Sequence, residues 1–456
     1  MPLSKRLLGY ALIALGVALA APLAFAQDAA LKSGPMVGYG THRAVAVWVQ
    51  TTRPADVQIR YRNTGAPAGS TLTTRTRRAR RANDHALTFE IGYLEPGQTY
   101  EYDVLIDGNV AERPYPTRFQ TQKLWQWRTD PPTFTVALGS CAYINDPKYE
   151  RPGDMYGGDY RIFESIAAKN PDVMLWTGDN VYYRETDWSS PQMMSHRYGH
   201  TRETPEMQPL LGSSHNYAIW DDHDYGPNNA NRSYHLKGAA LDIFKRYWAN
   251  PTYGLPSERG VFTKFTWGDV DFFLLDDRFH RSPNRAPRDA GKTMWGEDQL
   301  QWLIDALETS DAPFKMVVNG GQILNRYDYY ETLARFPHDR KRLLSAIRER
   351  EIEGVMFLTG DRHHTELLKV TADGFYPLYD FTNSPLTAGP SDPERERGNP
   401  LRVDGTLVTE RNFGTLTFSG PRTDRRLTIR TFDTDGNQLW KQTVSARDLQ
   451  VEDEED

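Results

Sequence analysis

Alternating hydrophobic and polar positions in the first part of the chain predict short β-strands. The run Leu87-Thr88-Phe89-Glu90-Ile91 places every second side chain on one face, as a half-buried strand does. Residues 45–49 and 57–61 are rich in β-branched side chains, and Leu94-Glu95-Pro96-Gly97 marks a turn that leads into another strand. Strands and turns at this spacing predict an all-β sandwich over residues 34–122.

The pattern changes after the predicted sandwich, where short apolar runs alternate with segments of helical periodicity. Residues 161–169, 297–308 and 339–350 carry apolar side chains three and four positions apart, which predicts helices. Strands that alternate with helices are typical of layered α/β folds. We therefore predict an α/β domain over residues 133–446, with central β-sheets flanked by helices. We expect the acidic tail, residues 447–456, to be disordered.

The first 26 residues have the pattern of a signal peptide. Lys5 and Arg6 precede the apolar stretch Leu7–Ala21, and Ala24-Phe25-Ala26 forms a small-residue cleavage site. No later run approaches about 20 apolar residues, so we expect no transmembrane segment after processing. The sequence therefore predicts an exported protein, periplasmic or extracellular.

Composition narrows the possible partners. The chain of 456 residues is 39% hydrophobic and 25% charged, a balance typical of globular proteins. Its net charge of −6 argues against a dedicated nucleic-acid binder. Cys141 is the single cysteine, so no disulfide can form within the chain. The oligomeric state is not indicated by the sequence.

Six apolar strand-like runs in the α/β region end in polar side chains. The residues that follow these runs are Cys141, Asp179, Asp221 and Asp222, Asp276 and Asp277, Asn319, and Asp361 with His363. Ligands of layered α/β folds bind at the carboxyl ends of strands, so we expect these side chains to converge on one pocket. Several carboxylates in one pocket repel one another unless cations are bound. The arrangement therefore predicts a metal site.

The donor types leave more than one metal open. Tyr182 lies three residues after Asp179, and a tyrosinate with the Cys141 thiolate and carboxylates suits Fe³⁺. Carboxylates and asparagine side chains suit a hard ion such as Ca²⁺ or Mn²⁺. Zn²⁺ is compatible with the set, although the oxygen-rich donors do not require it.

These motifs together resemble one family. The segments are Gly139-Ser140-Cys141, Gly178-Asp179-Asn180-Val181-Tyr182, Trp220-Asp221-Asp222-His223-Asp224 with Asn228-Asn229, and Gly360-Asp361-Arg362-His363. They are similar to the PhoD family of alkaline phosphatases and phosphodiesterases, within the calcineurin-like metallophosphatases. The stretch Leu94 to Tyr102 resembles a fibronectin type III or immunoglobulin-like pattern, and such a domain before the catalytic domain fits the resemblance.

The resemblance implies a role for each matching residue. It implies Fe³⁺ with one or two Ca²⁺ ions as cofactors, held by Cys141, Asp179, Tyr182, Asp221, Asp222, Asn228 or Asn229, Asp361 and His363. It implies that His223 and Arg278 act in catalysis, and that Asn180, His223, Arg278 and His364 contact the substrate. For Arg278 a structural salt bridge with a nearby aspartate is the competing interpretation. Which of Asn228 and Asn229 binds metal stays open.

The activity implied is that of a secreted metal-dependent phosphatase acting on phosphomonoesters as well as diesters. A metal-bound hydroxide would attack phosphorus in line. The nearer alternative is a phosphodiesterase or phospholipase that acts on cell-envelope polymers or lipid head groups. Two further alternatives are a hydrolase with Cys141 as nucleophile, which leaves the carboxylates unexplained, and a surface-binding protein without activity.

Overall fold

The structure is a computed structural model that describes residues 28–67 and 69–451. The predicted signal peptide, residues 1–26, and the last five residues of the acidic tail lie outside the described residues. Among the residues described, no helix is both long enough and apolar enough to cross a lipid bilayer.

An all-β unit occupies the first part of the chain. Its strands are β1 (Leu31–Gly40), β2 (Val45–Thr51), β3 (Asp56–Asn63), β4 (Leu72–Thr73), β5 (Arg77–Arg78), β6 (Ala86–Ile91), β7 (Thr99–Ile106), β8 (Asn109–Val110) and β9 (Arg118–Gln120). One sheet has the order β1-β2-β6, and the other has the order β4-β3-β7-β8, with β5 on β3 and β9 on β7. Valines of β2 and tyrosines of β7 share one buried core, so the two sheets form a sandwich.

A mixed α/β unit follows. Its strands are β10 (Phe134–Gly139), β11 (Val173–Thr177), β12 (His215–Ile219), β13 (Thr263–Trp267), β14 (Val270–Leu274), β15 (Phe314–Val318), β16 (Val355–Thr359), β17 (Glu366–Ala372), β18 (Phe375–Thr382), β19 (Asn412–Ser419), β20 (Arg426–Asp433) and β21 (Gln438–Ser445). Its helices are α1 (Ile162–Ala168), α2 (Pro191–Arg202), α3 (Gln208–Ser213), α4 (Asp222–Tyr225), α5 (Lys237–Tyr247), α6 (Glu297–Thr309) and α7 (Pro337–Glu349).

These strands form two six-stranded sheets that share a core. Their orders are β12-β11-β10-β19-β20-β21 and β13-β14-β15-β16-β18-β17. Along β11, Val173 and Leu175 belong to the core that both sheets share. Met174 and Trp176 belong to a second core with α1 to α5. Alternate side chains of the strand therefore point to opposite faces, so one face of the sheet packs on the other sheet and one packs on helices. This arrangement confirms the predicted layered α/β architecture.

The predicted helices 161–169, 297–308 and 339–350 correspond to α1, α6 and α7 within two residues at each end.

The prediction for the tail was wrong in part. Residues 446–449 form a short 3₁₀ helix whose Leu449 side chain is fully buried. Burial of this apolar side chain stabilises the start of a segment that its acidic composition suggested would be disordered.

The sandwich is docked against the α/β unit. Trp48 is fully buried in the core of the α-helices, and its Nε1 donates to the carbonyl of Arg246 at 2.8 Å. The His215 ring lies 2.8 Å from the Gly38 carbonyl and 2.9 Å from the Gln120 carbonyl. Buried contacts of this kind fix the two units relative to each other.

The carboxyl ends of both six-stranded sheets meet at one place. β10, β11 and β12 are mutually parallel, and so are β14, β15, β16 and β18. Gly360 follows β16 directly, and a Cβ there would lie 2.5 Å from Ser140 Oγ and 2.8 Å from the Thr177 carbonyl. Glycine is therefore required for the two sheets to approach this closely. The polar residues that follow the strands are gathered at this junction.

Candidate metal centre

Two groups of donor atoms share one aspartate at the junction of the sheets. Cys141, Asp179 and His363 offer ligand atoms within 4.8 Å of one another, and Asp179, Asp222 and His223 do the same. Asp179 thus belongs to both groups, of which the first offers sulfur, oxygen and nitrogen donors and the second offers two oxygen donors and one nitrogen donor. This geometry suits two adjacent metal ions with a carboxylate between them.

The candidate ligands occupy an unusual backbone conformation. Five of them have positive φ, with values of 60° for Cys141, 52° for Asp179, 60° for Asn229, 65° for Asp361 and 56° for His363. A non-glycine residue in this region costs about 1–3 kcal/mol, and such residues cluster at functional sites. The conformation that directs these side chains toward the site therefore lowers the stability of the fold.

Backbone donors fix the loops that carry the ligands. The Asp224 carboxylate accepts from the backbone nitrogens of Asp179 at 3.1 Å, Asn180 at 2.8 Å and Asp221 at 2.7 Å. Ser384 Oγ donates to Cys141 Sγ at 3.2 Å. The sequence reasoning assigned no role to Asp224 or Ser384. The signal for Asp224 was its position at the end of a run of four polar residues after β12.

The electrostatics of the site oppose additional negative charge. Burial, followed by the charge of Asp222, raises the pKa of Asp179 well above its usual range. The same two causes raise the pKa of Asp361 to about 7. Burial raises the pKa of the Cys141 thiol to about 11. A bound cation reverses this balance, because it favours the charged form of every group around it.

The side chains present fit metal ions. Asp361 Oδ2 and His223 Nδ1 are buried and have no hydrogen-bond partner within the described ranges. Buried polar atoms without partners are rare unless a ligand satisfies them. The Tyr182 hydroxyl lies 3.3 Å from His363 Nε2, beside the first donor group. Sulfur, nitrogen and oxygen donors around shared carboxylates form a plausible coordination set.

The carboxylate and histidine donors line a cavity of about 730 Å³, whereas Cys141 and Tyr182 lie behind its wall. Its walls include Asp179, Asp222, His223, Asn228, Asn229, Asp361, His363 and His364, together with Tyr156, Tyr330, Glu331, Arg362 and residues 389–396. The His223 ring stacks on Tyr182 with centroids 4.3 Å apart. Both Asn228 and Asn229 reach the cavity, and the Asn229 Oδ1 accepts from Asn284 Nδ2 at 3.1 Å.

Arg278 does not reach the cavity, contrary to the catalytic and substrate-binding roles expected for it. Its exposed fraction is 0%, and its guanidinium pairs with Asp221 and, at 2.7 Å, with Glu331. The competing interpretation, a structural salt bridge, describes its position. Asp221 is likewise directed at Arg278 and belongs to neither donor group, because the guanidinium competes for its carboxylate.

Two expected substrate contacts are also occupied by protein partners. Asn180 is buried, and its Nδ2 donates to the Ile219 carbonyl at 2.7 Å and to Asp224 at 2.6 Å. His364 reaches the cavity wall, but its ring is buried and Nε2 lies 3.4 Å from Glu366. Both side chains support the loops of the site in this structure.

The fold and the donor groups define a layered α/β protein with a centre for metal ions at its strand ends. Residues 136–412 match the PhoD-like phosphatase family, and the chain belongs to this family. This match confirms the resemblance drawn from the sequence motifs. Residues 28–124 match a family described as a domain of unknown function (DUF7800).

Individual relatives agree with this assignment. Alkaline phosphatase D of Bacillus subtilis (strain 168) is 22% identical over 406 residues, which cover 76% of this chain and 64% of that protein. The chain therefore spans slightly less than two thirds of that relative. A solved structure of PhoD has a TM-score of 0.73 at 17% identity, covering 90% of this chain and 91% of that chain.

A purple acid phosphatase, PPD1 from yellow lupin (Lupinus luteus) seeds, has a TM-score of 0.66 at 11% identity, covering 91% of this chain and 76% of that chain. At these identities the two solved structures establish a shared fold. They confirm the prediction of a mixed α/β architecture.

Proposed function

We propose that the chain is a metal-dependent phosphoesterase that hydrolyses phosphate esters in the cavity around Asp179. The observation that carries this proposal is that two donor groups share Asp179, which lines the cavity. Paired metal ions stabilise both the attacking and the leaving oxygen of an in-line displacement at phosphorus. Membership of the PhoD-like phosphatase family supports the same reaction class.

We further propose which ions are bound. Cys141, Asp179, Tyr182 and His363 offer sulfur, phenolate and imidazole donors that suit Fe³⁺. Asp179, Asp222 and one of Asn228 and Asn229 offer oxygen donors that suit Ca²⁺. Elemental mass spectrometry of the purified protein tests the assignment. Iron with calcium, and a visible absorption band that Tyr182→Phe removes, supports it; manganese or zinc alone contradicts it.

Each side chain has a task in this proposal. Metal ions held by these donor groups would supply Lewis acidity toward the phosphate oxygens. Asp179 holds the two donor groups together, and Asp224 keeps its backbone in place through the 3.1 Å hydrogen bond. His223 lines the cavity and has 17% of its side chain exposed, so its ring can exchange a proton with an ester bound there.

Asp179→Asn is the variant that tests the proposal. Loss of the shared carboxylate should lower hydrolysis of a phosphate ester by about two orders of magnitude or more, since metal ions supply several kcal/mol of transition-state stabilisation. Chelation of the wild-type protein should have a similar effect. Asp404→Asn, at an exposed position without side-chain partners in the described chain, is the matched control. Undiminished hydrolysis in Asp179→Asn, with the fold retained by circular dichroism, contradicts the proposal.

A diester substrate is the second possibility, and the size of the cavity favours it. A volume of about 730 Å³ lies within the range of pockets that hold drug-sized ligands, so there is room for groups on both sides of a phosphate. Comparing kcat/KM for a monoester and a diester with the same leaving group decides between the two. A preference of tenfold or more identifies the substrate class.

We also propose export and a fold family for the sandwich. Export is supported by the signal-peptide pattern of residues 1–26, and N-terminal sequencing of the mature protein should begin at Gln27. A fibronectin type III or immunoglobulin-like assignment is supported by the strand orders β1-β2-β6 and β4-β3-β7-β8. It is further supported by Tyr100, whose hydroxyl accepts from the Glu95 nitrogen at 2.9 Å, as in a tyrosine corner.

A further inference from the structure

Two tyrosines stand at the outer wall of the site cavity. Tyr330 has 64% of its surface exposed, and Tyr156 has 41% exposed. Both line the same cavity as Asp179 and Asp361. Large exposed aromatic side chains at a pocket are typical of ligand contacts, because such surface is otherwise unfavourable in water.

The backbone that carries Tyr330 is held in a strained conformation. Tyr330 and Glu331 are consecutive non-glycine residues with φ of 46° and 66°. Glu331 is buried, and its carboxylate pairs with Arg278 at 2.7 Å and with Arg281 at 3.1 Å. Because the two guanidinium groups anchor Glu331, the neighbouring tyrosine is fixed at the cavity instead of relaxing.

One face of the Tyr330 ring is supported from within the protein. The Arg362 guanidinium carbon lies 5.3 Å from the ring centroid, a cation–π distance. Arg362 is itself fixed by Glu396, whose Oε1 accepts from Nη2 at 2.6 Å. A ring backed by a fixed cation and exposed on its remaining surface is a preorganised stacking platform.

The cavity is larger than a phosphate group needs. Its volume of about 730 Å³ is in the range of sites that enclose whole organic ligands. The part of the ligand beyond the phosphate therefore meets the outer wall, where Tyr330 is exposed. Planar rings stack on tyrosine irrespective of their substituents, since each ring has a π-face.

We propose that Tyr330 determines substrate specificity by stacking on a planar ring in the ester group. The preferred substrates are phosphate esters that carry such a ring, and nucleoside phosphates are the natural class. Esters of ringless alcohols lack this contact. The inference rests on the proposed phosphoesterase function and adds to it the chemical class of the substrate.

The test compares Tyr330→Ala and Tyr330→Phe with the wild-type metalloprotein on adenosine monophosphate and glycerol phosphate. The ratio of kcat/KM for the two substrates should fall about tenfold in Tyr330→Ala, because stacking on one ring contributes about that factor. Most of the loss should appear in KM. Tyr330→Phe retains the ring and should keep the ratio within about twofold of wild type.

Tyr93→Ala is the matched control. Tyr93 is also exposed, at 93%, and also has a positive φ, at 60°, but it belongs to the sandwich and does not line the cavity. Its replacement should change neither substrate. The proposal is overturned if Tyr330→Ala leaves the ratio of kcat/KM for the two substrates unchanged, whether both values fall equally or neither changes.

A binding measurement separates this inference from the proposed activity. Isothermal titration of a non-hydrolysable phosphonate analogue of adenosine monophosphate into wild type and Tyr330→Ala should show about tenfold weaker binding to the variant. Equal affinities reject the stacking role. If neither ester is hydrolysed but the two affinities differ, only the phosphoesterase function is rejected. The cavity then remains a binding site for phosphates that carry a ring.

Discussion

At the scale of single residues, the site lowers the stability of the fold through left-handed backbone conformations. These are found at Cys141, Asp179, Asp361 and His363. Each of these residues follows a β-strand end within four positions, and the turn that directs its side chain inward requires positive φ. Asparagine and aspartate tolerate this region better than most residues, because their short polar side chains bond locally. Histidine shares this tolerance, so Cys141 is the residue of the four whose side chain does least to stabilise the conformation.

Glu366 provides a prediction about pH at the same scale. Burial alone would raise its pKa, but His364 and Arg402 outweigh burial and lower the pKa to about 2. Arg402 Nε donates to its Oε2 at 2.6 Å. A carboxylate whose pKa is lowered in the folded state contributes stability above its unfolded pKa near 4.5. This contribution is lost as pH falls from there toward about 2.

Glu366→Gln should therefore show a weaker dependence of unfolding free energy on pH between about 5 and 3 than the wild type. Urea titrations at several pH values in this window measure the slope. Glu349→Gln, exposed at the end of α7, is the control and should match the wild-type slope. Identical slopes for all three proteins would show that folding does not shift the pKa of Glu366.

At the scale of elements, the loop of residues 389–396 forms one wall of the cavity and is tied to the strands by a buried ion pair. Glu396 accepts from Arg362 at 2.6 Å and from Asn325 Nδ2 at 2.8 Å. Both partners of the ion pair are buried, with 1% of each side chain exposed. Removing one member of such a pair leaves an uncompensated charge in the interior.

Glu396→Ala should lower the free energy of unfolding by about 3–5 kcal/mol, because it leaves the Arg362 guanidinium buried without its counterion. Glu394→Ala changes an exposed glutamate on the same turn and should have an effect within about 0.5 kcal/mol. Chemical denaturation measures both variants. Equal stability of the two variants would contradict an energetic role for the buried pair.

At the scale of the whole molecule, the sandwich and the α/β unit share buried contacts. Trp48 belongs to β2 but packs in the helical core of the α/β unit, and its Nε1 donates to Arg246. Tyr102 of β7 donates to the Gly212 carbonyl at 3.1 Å in the same interface. Contacts of this extent predict that the two units unfold together.

Differential scanning calorimetry of the wild type should show one cooperative transition. Trp48→Ala should destabilise the protein by about 3–5 kcal/mol, since it leaves a large cavity at the interface. Trp127→Ala, at a residue that is 93% exposed, should leave the transition unchanged. Two resolved transitions in the wild type would show that the units are energetically independent.

Local sequence patterns determined the elements and the residues at their ends. Alternation of period two and helical spacing of apolar side chains predicted the sandwich, α1, α6 and α7, because burial of one face is a local requirement. The same reasoning placed Cys141, Asp179 and Asp361 after strands, and the strand ends do converge.

Tertiary structure alone decided the partners of the buried charges. Arg278 was expected at the substrate, yet it pairs with Glu331, which lies 53 residues away along the chain (331 − 278). No local pattern encodes that distance, because ion pairing depends on which loops the two sheets bring together. The position of Tyr330 at the cavity was decided in the same way, since Arg278 and Arg281 anchor its neighbour.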